Sequence, residues 1–334
     1  MDTARIVWGI GAMVGLLSCV SCGFHLEGEQ GNLVFEFEVP YSPYATEATL
    51  AVGSRQRIAV KTQDSHDRAL EAPSVRIERV VSSEPGVISV DSVEQNSFVV
   101  RAHAPGDVQL SVMSTVSTSG QTTVSDSLRV SAADATSARV SHGCPFEDAP
   151  AYLTRSTVDL RYTLLDGHTT LLGYGHYPVE VEGDTDASIV REVDEVGVLR
   201  VRTSRQAGAL SLVAEDGEPL LEIAQVDEAQ IERVEVGEPQ SVAFRDELNF
   251  RPKLFTTQHR LCQAFPSAAV LTSTPDVCSA RIVEDDASSS RLRVNVAIAA
   301  EGDCAWSLSL PNARQGEGLV SSHSFRVTRS GETQ

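Results

Sequence analysis

No apolar stretch in this chain is long enough to cross a bilayer. The leading apolar run, residues 6–17, has twelve residues, whereas a hydrocarbon core needs about 20. Long segments with apolar residues three and four apart are missing too, so little helix is expected. Basic residues are outnumbered, 27 Lys+Arg against 46 Asp+Glu, and the net charge of −19 sets nucleic acid aside as a partner, along with direct electrostatic binding to an anionic membrane face. No H-E-x-x-H or G-x-S-x-G stretch occurs, nor a Walker glycine loop or dinucleotide fingerprint, which disfavours motif-bearing enzymes. A Ser-His-Asp set can still assemble from distant positions. Beyond the leader there is no C-x-x-C pair, so a zinc site is disfavoured, and the sequence asks for no cofactor or metal.

What is present starts with 334 residues, 41% hydrophobic and 22% charged, ordinary values for globular matter. At roughly 150 residues per domain this length suggests about two domains, with three smaller units allowed. The chain opens MDTARIVWGIGAMVGLLSCVSCGFH: one Arg, the twelve-residue run, then small residues and two cysteines. That is a secretory signal in outline, with a weak charged end because Asp2 offsets Arg5. LLSC and CVSC resemble the lipobox of bacterial lipoproteins, in which a small residue precedes the cysteine that is diacylated and becomes the mature N-terminus. Cys22, preceded by Val20 and Ser21, is favoured over Cys19, which has Leu17 beside Ser18. The resemblance implies a signal peptide over 1–21, anchoring to a membrane through N-terminal lipid and a place outside the cytoplasm. With no Asp after either cysteine, it further implies outer-membrane sorting. Residues 22–32 read as the lipidated end and a solvated stalk.

Past the leader, short stretches alternate with period two, as in LVFEFEV from Leu33, VLRV from Val198 and LRVNV from Leu292, which argues strands. One unit recurs three times. FVVRAHAPGDVQLSV surrounds Gly106, VLRVRTSRQAGALSLV surrounds Gly208, and LRVNVAIAAEGDCAWSLSL surrounds Gly302, at spacings of 102 and 94 residues. A second marker precedes each glycine, around Pro85, Ala187 and Pro275, by 21, 21 and 27 residues. Glycine at such a point serves a positive φ or a close approach, and the strand after it turns every second residue inward. Those residues are Val108, Leu110 and Val112; Leu210 and Leu212; and Cys304, Trp306, Leu308 and Leu310.

The spacing and the many short strands predict an all-β chain of three tandem immunoglobulin-like β-sandwich domains, over 33–133, 134–230 and 231–334. Polar joints around 132–137 and 225–232 suggest beads touching end to end. SSEPGVISVDSVEQNSFVVRAHAPGDVQLSV with the closing SLRVS resembles the bacterial Ig-like group 2 domain of surface proteins, over about residues 45–133. The other two copies keep the glycine strand and depart elsewhere.

Four cysteines follow the leader: Cys144, Cys262, Cys278 and Cys304. In an exported chain they read as disulfides, with three complete pairings open. Cys304 faces inward in the third copy, so its partner belongs in the same sandwich. Cys262 is preferred over Cys278, and Cys144 is left to pair across the boundary.

Candidate binding residues are few. His168 and His176, in DGHTTLLGYGHY, form the closest histidine pair, but Asp166-Gly167 reads as a hairpin turn with both His facing solvent. Tyr174 and Tyr177 make an aromatic loop that either stacks on a sugar or closes a sandwich edge. The acidic runs Glu182-Gly183-Asp184-Thr185-Asp186 and Glu284-Asp285-Asp286 read as charged hairpin tips rather than calcium ligands. The expectation is a non-catalytic, lipid-anchored envelope protein acting as a surface spacer, adhesion or assembly module on an unknown protein or glycan. The alternative is a carbohydrate-binding or enzyme-accessory lipoprotein, with its site in the second copy near His168, Tyr174 and His176.

Overall fold

The computed structural model describes residues 24–39, 48–62, 74–117, 121–144, 150–183, 185–237, 241–243, 247–283 and 291–328. Nearly all regular structure among them is strand, with two 3-10 turns as the helical parts. Alternation does the work it promised. In Gly106–Ser117 the residues Val108, Leu110 and Val112 are buried while Gln109, Ser111 and Met113 face out. All nine residues expected to point inward after the three glycines are buried.

The buried side chains form three large hydrophobic clusters, each lying between two facing sheets. One sheet of each pair has the same strand order in all three. Around the first cluster it runs Thr49–Ala51, Gln121–Ala133, Gly106–Ser117, Ser74–Ser82. Around the second it runs Ala151–Leu153, Pro219–Val226, Gly208–Ala214, Val179–Val181. Around the third it runs Ser241–Ala243, Leu319–Thr328, Gly302–Leu310, Ala269–Thr272. In each, the short opening strand pairs parallel with the closing strand and the rest pair antiparallel. The opposite sheets also share a three-strand order: Arg55–Thr62, Ser97–Ala102, Ile88–Val93; then Thr157–Asp166, Val198–Arg202, Ser188–Val190; then Glu247–Phe250, Arg293–Ile298, Cys278–Val283. This is the immunoglobulin-like sandwich.

The two sequence markers of the repeat meet in space. Gly106 has φ +150°, and a Cβ there would lie 3.2 Å from a Val87 methyl. Gly302 has φ +135°, and its Cβ would lie 3.2 Å from Val277. The Val87 carbonyl accepts the amides of His103 and Ala104, and the Val277 carbonyl accepts those of Ala299 and Ala300. Each valine thus ties the marker turn to the stretch just before its glycine. Gly208 keeps the φ, +149°, but nothing lies within 4 Å of its Cβ position. At this device the third copy is closer to the first than its sequence suggested, and the second is the divergent one.

Three expectations are corrected. The stretch expected as a solvated stalk instead begins a sheet: Phe24–Glu27 pairs antiparallel with Leu33–Phe37, and the Phe24 ring lies 5.7 Å from that of Phe37. Its Glu and Gly content masked a short apolar alternation, Phe24 and Leu26, packed against the first cluster. The joints are not short polar linkers either; their residues are built into the closing strands and the core. Ala132 and Ala133 end the closing strand Gln121–Ala133, Gln225 and Val226 end Pro219–Val226, and Ile231 is fully buried after a single 3-10 turn. Finally, the disulfides are Cys278–Cys304 and Cys144–Cys262, not Cys262–Cys304. Cys278 opens a strand of the sheet facing Cys304, whereas Cys262, though late in the sequence, packs in the second cluster. Disulfides belong to oxidising compartments, which places the chain outside the cytoplasm.

Candidate functional site

Between the first and second clusters the backbone is continuous in hydrogen bonding. Leu172 donates to Thr49 O (2.8 Å) and Ala51 donates to Leu172 O (2.9 Å), while Arg55 and Tyr174 exchange both amides at 2.9 and 2.8 Å. Each side also lends an apolar residue to the other, since Leu172 packs in the first cluster and Ala51 in the second. Gly173, at φ +119°, permits the approach: a Cβ there would fall 2.1 Å from Ser54 Oγ. Ser54 itself is buried and donates to Ala51 O at 2.6 Å.

This joint leaves a cleft of about 310 Å³ lined by Gly53, Arg55, Arg101, Tyr174, Gly175, Arg191, Glu192, Val193 and Asp194. Arg55 and Arg101 face each other across paired strands and share one carboxylate, Asp91, at 3.5 and 2.9 Å. Arg191 donates to the Tyr177 carbonyl at 3.2 Å, and Tyr177 Oη donates to Val193 O at 3.3 Å, which holds the 191–194 wall in place. Burial holds the Tyr174 hydroxyl above its ordinary range, with Asp194 adding to the effect, so it stays a neutral donor.

The structure separates the residues named from sequence. Tyr174 lines the cleft but is only 5% exposed, and Tyr177 2%. Neither offers a face for stacking on a sugar; they close the sandwich edge, with the rings of Tyr162 and Tyr177 5.4 Å apart. His168 is exposed at the tip of the hairpin joining Thr157–Asp166 to Thr169–Leu171, away from the cleft lining. His176 does not face solvent fully: it is half-buried, with its ring under Gly53. In the first acidic run, Asp186 pairs with Arg205 at 3.2 Å; Asp184 and the Glu284-Asp285-Asp286 run lie outside the described residues, as do Cys19 and Cys22. Among the described residues no group of three or more His, Cys, Asp or Glu is placed to hold a metal. Arg55, Arg101 and Arg191 carry no signal in the sequence because they come from distant segments, two strands and a loop, and share no local motif.

The joint between the second and third clusters is built the same way. Ala151 donates to Arg260 O (3.1 Å), Cys262 donates to Ala151 O (2.8 Å), and Ala151 packs in the third cluster. Cys144–Cys262 bridges it, and the Gln263 amide donates to Asp159 O (2.6 Å) while accepting from Asp159 N (2.7 Å). His142 stacks on Tyr152, rings 5.9 Å apart, and burial pushes the Tyr152 hydroxyl up to about 12.

Each joint thus carries one half-buried histidine. Burial lowers the pKa of both His142 and His176 below the usual 6.5. For His176, Glu215 opposes that shift and Arg191 adds to it. Between 6.5 and the lower folded value the unfolded chain binds the extra proton, so the neutral imidazoles favour folding fully above pH 6.5. That contribution is lost as pH falls through the folded values. The melting temperature should therefore be flat above pH 6.5 and drop on the acid side. His142→Gln with His176→Gln should flatten the first part of that drop, and an unchanged profile would contradict the assignment.

No protein-family model matches the chain, and no curated protein matches it in sequence. Among solved structures it is similar to FdeC, an Escherichia coli adhesin, at 13% identity over 85% of this chain and 95% of that one, with TM-score 0.24. It is also similar to SGBP-B of a Bacteroides ovatus mixed-linkage glucan utilization locus, solved with a mixed-linkage heptasaccharide, at 10% identity over 88% and 69%, TM-score 0.29. Domains 4–9 of the surface layer protein SbsC match at 10% identity over 84% and 43%, TM-score 0.25. Likeness at this level carries no information on ligand or role.

Proposed function

We propose that this chain is a non-catalytic cell-envelope protein that holds three immunoglobulin-like units as one stiff arm and binds with its faces or joints. The supporting observation is the ladder of backbone hydrogen bonds and shared apolar residues across both joints. Flexible linkers leave domains free to reorient, and the described residues at both joints form none. In this reading Cys22 carries the lipid, with Cys19 as the alternative, and the protein sits at the outer membrane facing outward. Only Gly23 separates Cys22 from the strand that starts at Phe24, so lipid at that thiol would set the body directly on the bilayer. The partner is a protein or a glycan, and nucleic acid is excluded by charge.

Two measurements test this. Palmitate labelling should be lost in Cys22→Ala, and persistence would move the anchor to Cys19 or remove it. Spin labels at the exposed positions Met113 and Leu271, introduced as Met113→Cys and Leu271→Cys, should give a single narrow distance distribution; a broad one would refute the stiff arm. A second reading, a carbohydrate-binding module, is favoured by the cleft at the first joint. Its lining mixes guanidinium donors, carboxylate acceptors and a tyrosine, the pairing that vicinal hydroxyls use.

A further inference from the structure

The cleft between the first and second clusters sets three guanidinium groups against three carboxylates, Asp91, Glu192 and Asp194, of which Asp91 alone is in an ion pair with them among the described residues. Three of its nine lining residues are Arg, in a protein of net charge −19. Two of them, Arg55 and Arg101, stand directly opposite on neighbouring strands, an arrangement in which like charges repel and cost stability. A single carboxylate, Asp91, serves both, which leaves one positive charge over. Arg191 enters from the second cluster and adds another, with one of its nitrogens on the Tyr177 carbonyl. Nothing in the packing of the sandwich requires a guanidinium pair here, because both side chains stand on the solvent side of their strands, 46% and 34% exposed.

The other groups narrow the ligand. Glu192 and Asp194 stand in the same lining as acceptors. Gly53 and Gly175 bring backbone without side chains, both at positive φ, and nothing lies within 4 Å of a Cβ position on Gly175. A bare inorganic anion would meet the arginines but leave Glu192 and Asp194 without the row of hydroxyl donors a sugar ring presents. A neutral sugar would satisfy those carboxylates through its hydroxyls and leave the guanidinium pair with Asp91 as its one shared counter-charge. A sugar that carries a carboxylate does both, since guanidinium binds carboxylate in a bidentate fork and the ring hydroxyls donate to the acidic wall. The cavity, about 310 Å³, is at the small end of the roughly 300–1,000 Å³ usual for ligand sites, so it suits a single residue of a longer chain. We propose that this cleft binds an acidic sugar residue, its carboxylate held by Arg55, Arg101 and Arg191 and its hydroxyls by Glu192 and Asp194. The assignment rests on the carbohydrate-binding reading above and deepens it. Because the arginines come from both sides of the joint, an occupied cleft would also brace the first unit against the second.

Calorimetric titration of the full exported chain tests this with three probes: digalacturonate, the neutral galactobiose, and inorganic phosphate. Digalacturonate should bind, galactobiose and phosphate at least tenfold more weakly. Arg101→Ala and Arg191→Ala should each weaken digalacturonate at least tenfold, while Arg129→Ala, on the outer face of another sheet, leaves it unchanged. Arg191→Lys, which keeps the charge but not the fork, should fall between, and an unaltered melting curve shows that the variants are folded. Equal binding of galactobiose, untouched by the Arg variants, would overturn the acidic-sugar assignment and leave the carbohydrate reading standing. Equal binding of phosphate would reduce the site to a plain anion site and overturn it. Digalacturonate binding that survives both Ala variants would place the site elsewhere. Silence of both saccharides would end this inference and the carbohydrate reading together.

Discussion

Asp126→Ala should lower the stability of the first cluster by about 3–5 kcal/mol, because hydrogen bonds to a charged group contribute about 1.5–3 kcal/mol each and orphaned buried donors cost more. Asp126 is 3% exposed, and its carboxylate accepts the amides of Gln30, Asn32, Leu33 and Ser127, each at 2.8 Å. Two of those amides belong to the turn that joins Phe24–Glu27 to Leu33–Phe37 and a third opens the second strand, so one side chain on the closing strand holds the N-terminal hairpin of the opposite sheet. Gly28 leaves room for it: a Cβ there would lie 2.1–2.3 Å from the carboxylate atoms. Asp126→Asn should cost nearly as much, since the amide nitrogen cannot accept two of those bonds, and Gly28→Ala should displace the same contact. Denaturant unfolding gives the loss, and hydrogen exchange should speed up over residues 28–33. A loss below about 1 kcal/mol would show that water replaces the carboxylate at little cost. Total stabilities are commonly only about 5–15 kcal/mol, so the variant should approach the limit of folding.

Removing Cys278–Cys304 by paired Ala substitution should cost the third cluster about 2–4 kcal/mol, the usual range for a disulfide. Trp306 gives a local reading of it. It is 1% exposed, packs on Phe250 and His323 at ring distances of 5.4 and 4.6 Å, and is the only tryptophan beyond the leader. Its fluorescence transition should move to lower denaturant while hydrogen exchange in the first cluster stays put. Paired Ala substitution of Cys144 and Cys262 should behave differently. That bridge spans 118 residues and joins the second cluster to a connection between strands of the third unit, so the second and third transitions should separate. If either pair moved all three clusters equally, the clusters would be one cooperative unit.

How far the fold was legible can be argued from two glycines. Gly106 and Gly302 were flagged from spacing alone, and both stand at positive φ beside the marker turn that the same spacing had picked out. Local geometry of that kind is written in the chain, because a φ that only glycine takes easily and an alternation of period two leave direct traces. Cys262 shows the opposite case. By position it belongs with Cys304, yet it packs in the second cluster, because residues 260–262, between two strands of the third unit, turn back to pair with Ala151. Asp126 is similar: an acid in a strand reads as solvent-facing until its four amide partners, three of them more than 90 residues away, are in place.

The cleft arginines belong to that second kind. Arg55, Arg101 and Arg191 are each an ordinary charge on a strand or loop, and only the docking of residues 171–174 onto the first sheet brings them to one mouth. The loop carrying Tyr174 and His176 is legible in part: of the two readings its sequence allows, a sugar platform or tyrosines closing a sandwich edge, the buried rings match the second, while its pairing onto the first sheet leaves no local trace.

The order of residues alone therefore determined strand content, the inward faces, the three glycine turns and a chemistry suited to an oxidising space, since each follows from neighbours two to thirty positions apart. Which cysteines pair, how stiffly the units join and where charges converge were decided by tertiary structure. Those features depend on backbone groups from separate repeats finding one another, and such meetings carry no local period.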